Sequence, residues 1–263
     1  MRKVATFFLA IIIAIGSVAS AANADLPKIK ILAIGDSINT GYGSKDNCGA
    51  RTEVTRLLYN VGYEAVWQGE PVGTGPNSCP YAHRFGPDGQ APNDPNAGTV
   101  QSMRDNILTW LAAGNPDVVM ITVGTRNAAG QGAGLANYQA VVTDLISKIL
   151  NYNSTTKVLI ALIPYSITSW APNEVTVNIA TILGVLSFNN PRVAWVDLQQ
   201  YPPIKLYDSL HPSDYVQIGN LFYNGLAAMY NLPIAEPAEA WHSVSACRPG
   251  IERPVLALGC YGP

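Results

Sequence analysis

The stretch KIKILAIGDS, Lys28 to Ser37, decides how this chain is read. Residues 28–34 form a short, nearly continuous apolar run that ends at Gly35. That pattern predicts a strand buried on both faces, as in a parallel sheet covered by helices. Polar residues and glycines follow at once, so Ser37 lies where the strand gives way to a helix. Two roles suit a serine there: a helix cap, or a nucleophile raised at the carboxyl end of a strand.

Outward from Ser37 the sequence alternates. Strand patterns recur at 64–68 (EAVWQ), 117–123 (DVVMITV), 157–163 (KVLIALI) and 192–198 (RVAWVDL). Helical spacing of apolar residues fills 49–61, 99–113, 135–150, 172–188 and 213–230. Strands alternating with helices predict an α/β fold, a three-layer α/β/α sandwich around a five-stranded, mostly parallel sheet. Ligands of such sheets sit beyond the carboxyl ends of the strands. Residues 69–98, rich in Gly, Pro and Asn, read as a long irregular excursion, of the kind that in a compact domain is either functional or disordered. The run AGQGAG, 129–134, has glycines at 130, 132 and 134. That is not the dinucleotide-binding spacing, and the run reads as a flexible loop beside the crevice.

The chain has 263 residues. Arg2 and Lys3 precede the apolar run Val4–Ile15, and Ala22-Asn23-Ala24 then forms an A-x-A site. This is the layout of a secretory signal peptide over 1–24, which predicts a secreted, extracellular protein. Residues 25–263 suit one α/β domain, with a Pro- and Gly-punctuated tail from about 232. Of 16 Lys and Arg, Arg2 and Lys3 leave with the signal, so 14 face 18 Asp and Glu. A mildly acidic chain without a basic cluster argues against nucleic acid and against stable membrane association. A monomer is expected. Four cysteines, Cys48, Cys79, Cys247 and Cys260, in an oxidising compartment favour disulfides, with three pairings open. The favoured set is Cys48–Cys79 and Cys247–Cys260, the second stapling the tail. Their spacing matches no zinc pattern. Asn153-Ser154-Thr155 is a glycosylation sequon.

A serine hydroxyl needs a base within hydrogen-bond reach. The chain holds three histidines, His83, His211 and His242. Only His211 stands in a suggestive context, Asp208-Ser209-Leu210-His211-Pro212 just before the last helix. Asp208 is placed to take the second imidazole N–H, as the acid of a triad does. Trp67, Tyr81 and Trp170 are candidate rim aromatics, for which packing is the readier explanation.

Gly35-Asp36-Ser37 near the start and Asp208-x-x-His211 near the end, on an α/β pattern, resemble the SGNH (GDSL) hydrolase superfamily. The texture is similar to its carbohydrate-esterase branch, which includes acetylxylan esterases, over roughly Ile31 to Tyr230. The resemblance implies a Ser37–His211–Asp208 triad that hydrolyses short acyl esters, acetyl above all, on polysaccharide, with no metal or organic cofactor. It implies an oxyanion hole of the Ser37 and Gly98 N–H groups plus an asparagine amide. The third element departs from the family's Gly-x-Asn-Asp: this chain reads Gly124-Thr125-Arg126-Asn127. Three readings follow. Arg126 donates in place of the asparagine, Asn127 does so in a shifted turn, or the site is impaired and the protein binds glycan without turning it over. A lipase- or thioesterase-like hydrolase is the further alternative.

Overall fold

A computed structural model describes residues 25–72, 79–85, 98–132, 135–164, 172–199, 204–235 and 241–243. At its centre is a parallel sheet of β1 (Lys28–Gly35), β2 (Glu64–Gln68), β5 (Val118–Thr122), β6 (Lys157–Ala161) and β7 (Val193–Val196). The strands lie in the order β2-β1-β5-β6-β7, all parallel. The expected five-stranded sheet is therefore present, between helices on both faces.

Alternation along the strands explains the layers. Leu32, Ile34, Val119 and Ile121 face one core with α3 (Val100–Gly114), α5 (Tyr138–Tyr152) and α6 (Glu174–Leu186). Their neighbours Ile29, Ile31, Val118 and Met120 face a second core with α2 (Ala50–Asn60) and α7 (Tyr215–Tyr230). The inner strands β5, β6 and β7, and β1 from Ile31 onward, thus bury both faces, which is why they read as apolar runs. Helix α5 buries Tyr138, Val142, Leu145 and Ile149 at helical spacing, leaving its other side to solvent.

The structure adds three short strands to the five. Within the excursion read as irregular, β3 (Glu70–Val72) and β4 (Cys79–Phe85) pair antiparallel, and β4 also pairs with Ile34 and Gly35 of β1. Cys48 and Cys79 form the expected disulfide, which fixes the start of β4 to the loop before α2. β8 (Trp241–Ser243) pairs antiparallel with β7 at the far edge. His83 therefore lies on β4, and His242 on β8. Residues 1–24, Trp170, Cys247 and Cys260 lie outside the described residues. No helix among the described residues is long and apolar enough to cross a membrane.

Candidate active site

Gly35-Asp36-Ser37 has a physical reason at each position. A side chain on Gly35 would put its first carbon 2.3 Å from the Thr122 carbonyl oxygen, so only glycine lets β1 and β5 close here. The Asp36 N–H donates to that same oxygen at 3.0 Å. The Asp36 carboxylate then caps a one-turn helix, α1 (Ser37–Thr40), by accepting from the Ile38 N–H at 3.1 Å. Ser37 is thus the first residue of a capped turn at the carboxyl end of β1, with its own N–H not used by the helix.

The other end of α1 is held by a buried cation. Arg51, 1% exposed, donates to the carbonyls of Asn39 and Thr40 and lies 3.4 Å from the Cys79 sulfur. Burial pushes its guanidinium down to about 10, offset in part by Asp46 and Tyr215. The Ser37 turn, the buried arginine and the disulfide therefore form one connected support.

The distant pair arrives on the loop before α7. The Ser37 hydroxyl and His211 Nε2 are 2.8 Å apart. His211 Nδ1 and Asp208 Oδ2 are also 2.8 Å apart, and Asp208 Oδ1 accepts from the His211 and Leu210 N–H groups at 2.8 and 3.2 Å. Burial pushes the Asp208 carboxyl up, but these N–H groups and the imidazole outweigh it and hold the acid below the usual carboxylate range. An ionised acid on Nδ1 leaves Nε2 as the acceptor for the serine proton. The three residues make one unbroken hydrogen-bond chain.

Gly98 and Arg126 meet beside Asp36, whose Cβ would lie 3.8 Å from a side chain at Gly98. Gly98 has φ +67°, and a side chain there would sit 2.9 Å from the Arg126 Cδ and 3.5 Å from its Nη1. The arginine chain occupies the space that glycine leaves open. Arg126 belongs to a second one-turn helix, α4 (Thr125–Ala128), which follows β5 as α1 follows β1. Both turns spring from neighbouring strands at the point where chain order diverges, where open α/β sheets bind ligands.

Asn127 is fully buried and points elsewhere. Its Oδ1 accepts from the Val100 N–H at 3.1 Å, and its Nδ2 donates to Gln101 Oε1 at 2.9 Å and to the Gln131 carbonyl at 3.3 Å. The side chain thus ties α4 to the start of α3, two residues beyond Gly98. This role was absent from the sequence reading, whose only hint was a polar residue after the arginine. The stretch 129–132 is drawn in as well: the Gln131 N–H donates to the Arg126 carbonyl at 3.0 Å.

Asp36 is buried completely, and burial pushes its carboxyl above the usual range. The Thr125 hydroxyl and N–H and the Ile38 N–H favour its charged form without outweighing burial. Trp67 donates to the Thr55 hydroxyl and has Tyr81 beside it, with ring centroids 6.3 Å apart, a half-buried pair of the packing kind. Asn153 is spanned by its own sequon, the Thr155 hydroxyl donating to its Oδ1. Among the described residues no three His, Cys, Asp or Glu side chains cluster to hold a metal.

No family model matches the sequence, and no curated protein is similar to it. Solved structures are. A family 3 carbohydrate esterase of Clostridium thermocellum matches 78% of this chain and 98% of its own, at 24% identity and TM-score 0.61. A family 3 carbohydrate esterase of Talaromyces cellulolyticus matches 78% and 100%, at 19% and 0.57. An acetylxylan esterase of Geobacillus stearothermophilus matches 81% and 100%, at 16% and 0.52. At these identities the likeness speaks for architecture, and in architecture this chain is an α/β protein with the SGNH-type fold of the carbohydrate esterases.

Proposed function

We propose that the protein is a secreted serine esterase that removes short acyl groups, acetyl above all, from carbohydrate. The observation that carries this reading is the hydrogen-bond chain Ser37–His211–Asp208 at the carboxyl end of β1. The similar structures, named as carbohydrate and acetylxylan esterases, support the substrate class. The signal-like residues 1–24 and the Cys48–Cys79 disulfide support export of residues 25–263 as one domain.

In the proposed reaction the Ser37 oxygen attacks the ester carbonyl while His211 Nε2 takes the hydroxyl proton, and Asp208 stabilises the imidazolium that results. The N–H groups of Ser37 and Gly98 hold the oxyanion, with the Arg126 guanidinium in the third place. Asn127 serves that pocket from behind by keeping α4 and the Gly98 turn in register. The tetrahedral intermediate collapses, and His211 returns its proton to the departing alcohol, which leaves an acyl-serine. Water, deprotonated by His211, repeats the sequence and releases the acid. The chemistry needs only these side chains and water.

The test is acetate release by residues 25–263 from p-nitrophenyl acetate and acetylated xylan, with butyrate and octanoate esters for comparison. Ser37→Ala is expected to lower turnover by about 10³-fold or more. Equal turnover by wild type and Ser37→Ala would sink the reading. Preference for octanoate would favour the lipase-like alternative. Glycan binding with no turnover of any ester would favour the impaired one.

A further inference from the structure

Single exposed aromatic residues are ordinary on protein surfaces. At this site two stand together. Tyr42 is 53% exposed and Tyr207 64%, yet they come from the loops that follow Ser37 and precede His211. Their rings meet edge to face, with centroids 6.3 Å apart and planes at 77°. Tyr42 also lies against the His211 ring, at 4.5 Å and 50°.

Both rings stand on fixed backbone. The Tyr42 N–H donates to the Ser37 carbonyl at 3.1 Å, and its carbonyl accepts from the Tyr215 hydroxyl at 2.8 Å. The Tyr207 N–H donates to the His211 carbonyl at 2.6 Å, and Leu206 bridges to Pro212. Gly43, at φ +89°, makes room for Tyr207: a side chain there would come 3.1 Å from the Tyr207 Cβ. The backbone is thus anchored, while each residue as a whole keeps more than half of its surface in water. Packing does not account for that combination, because a ring placed for stability is buried.

We propose that Tyr42 and Tyr207 form a sugar platform that holds a neutral pyranose ring of a polysaccharide as the alcohol half of the ester. The inference rests on the hydrolase reading and adds where the sugar lies. His211 hands its proton to the leaving alcohol, so the alcohol must pass over His211, where the Tyr42 ring lies with the Tyr207 ring against it. A pyranose offers a face of polarised C–H groups to the electron-rich face of an aromatic ring, and its rim hydroxyls match the phenolic groups. Two rings projecting from a rim do not make the enclosed apolar trough that a long acyl chain requires. Tyrosine is uncharged and stiff, so it gives a large contact area with little loss of side-chain freedom.

The experiment uses residues 25–263 and two readouts. In the first, kcat/KM is measured on acetylated xylan and on p-nitrophenyl acetate for wild type, Tyr207→Ala and Tyr207→Phe. Tyr207→Ala is expected to lower the ratio of the two by about tenfold, through KM on xylan, while Tyr207→Phe keeps the ratio within about twofold. In the second, calorimetry follows xylohexaose, cellohexaose and chitohexaose binding to Ser37→Ala, alone and combined with Tyr207→Ala. Binding of at least one sugar, weakened about tenfold by the second substitution, supports the platform even if no ester is turned over. An unchanged ratio together with unchanged binding overturns it, as does failure to bind any of the three sugars. If Ser37→Ala hydrolyses like wild type, the hydrolase reading fails separately, and the binding result still decides the platform.

Discussion

The two flanks of Ser37 are built in different ways. On one flank, His211 and Asp208 lie in four consecutive residues, and the acid's contacts are with the Leu210 N–H, the His211 N–H and the His211 ring. On the other, Gly98, Arg126 and Asp36 come from three separate segments, and Asn127 links two of them from beneath. The acids repeat the contrast. Asp208 sits at the rim with its side chain 38% exposed, held below the usual range by N–H groups, whereas fully buried Asp36 is pushed above it. A local motif brings its geometry with it, while a pocket assembled from distant segments depends on packing.

The largest expected effect tests whether the local flank is self-sufficient. Asp208→Asn keeps an oxygen for the two backbone N–H groups but removes the charge that faces the imidazole. It is expected to lower kcat on p-nitrophenyl acetate by about 10³–10⁴-fold with little change in KM, as loss of a triad acid does elsewhere. A fall of less than about tenfold would mean that other contacts orient His211, and the contrast between the flanks would collapse.

The next effect sharpens the other side. If Arg126 donates to the oxyanion, Arg126→Ala is expected to lower kcat by about 10²-fold, the scale of one lost oxyanion donor. Arg126→Asn is expected to recover part of that loss, because an amide restores a donor without the reach of a guanidinium. Steady-state kinetics on p-nitrophenyl acetate separates the cases. An unchanged kcat in Arg126→Ala would leave Ser37 and Gly98 as the sufficient donors and reduce Arg126 to a chain packed across Gly98.

Sequence alone carried the parts of the molecule whose information is local. The inner strands were legible because they are buried on both faces and therefore mostly apolar, as in Val118–Thr122, whereas β2, half-buried along its length, showed only as a short β-prone run. Asp208 and His211 were legible because their spacing is their geometry. The short strands β3, β4 and β8 were not: Pro71, Pro80 and the glycines around β3 and β4 speak for loop, three residues are too few to mark β8, and pairing with neighbouring strands overrides the local preference. Arg51 looked like an ordinary helix residue. Only the meeting of α1, the Asn47 carbonyl and the Cys48–Cys79 bridge makes it a buried clamp. Tyr42 and Tyr207 were equally silent, because a rim platform is defined by two loops converging and not by any spacing within either. Asn127 was considered for its amide, yet its direction depends on Val100, Gln101 and Gln131, which no local pattern ties to it.

The smallest effect reads the two acids through stability and not turnover. Burial raises the Asp36 carboxyl above its ordinary 3.8, and the Thr125, Ile38 and His211 groups that act the other way do not cancel it. The native state therefore holds this proton more tightly than the unfolded chain does. Its contribution to stability is complete below the ordinary value and is lost as pH rises through the raised one. Asp36→Asn retains an oxygen for the Ile38 N–H and carries no titrating proton. Thermal unfolding from pH 3 upward is expected to show the variant gaining on wild type as pH rises above the ordinary carboxylate value, with the difference levelling once Asp36 is ionised. Asp208→Asn is expected to run the opposite way: a depressed acid stabilises above its unfolded value and loses that contribution as pH falls, so this variant loses ground to wild type as pH rises. Parallel curves for both variants would mean that the buried and the exposed acid are solvated alike, and the contrast between the flanks would then lie in connectivity alone.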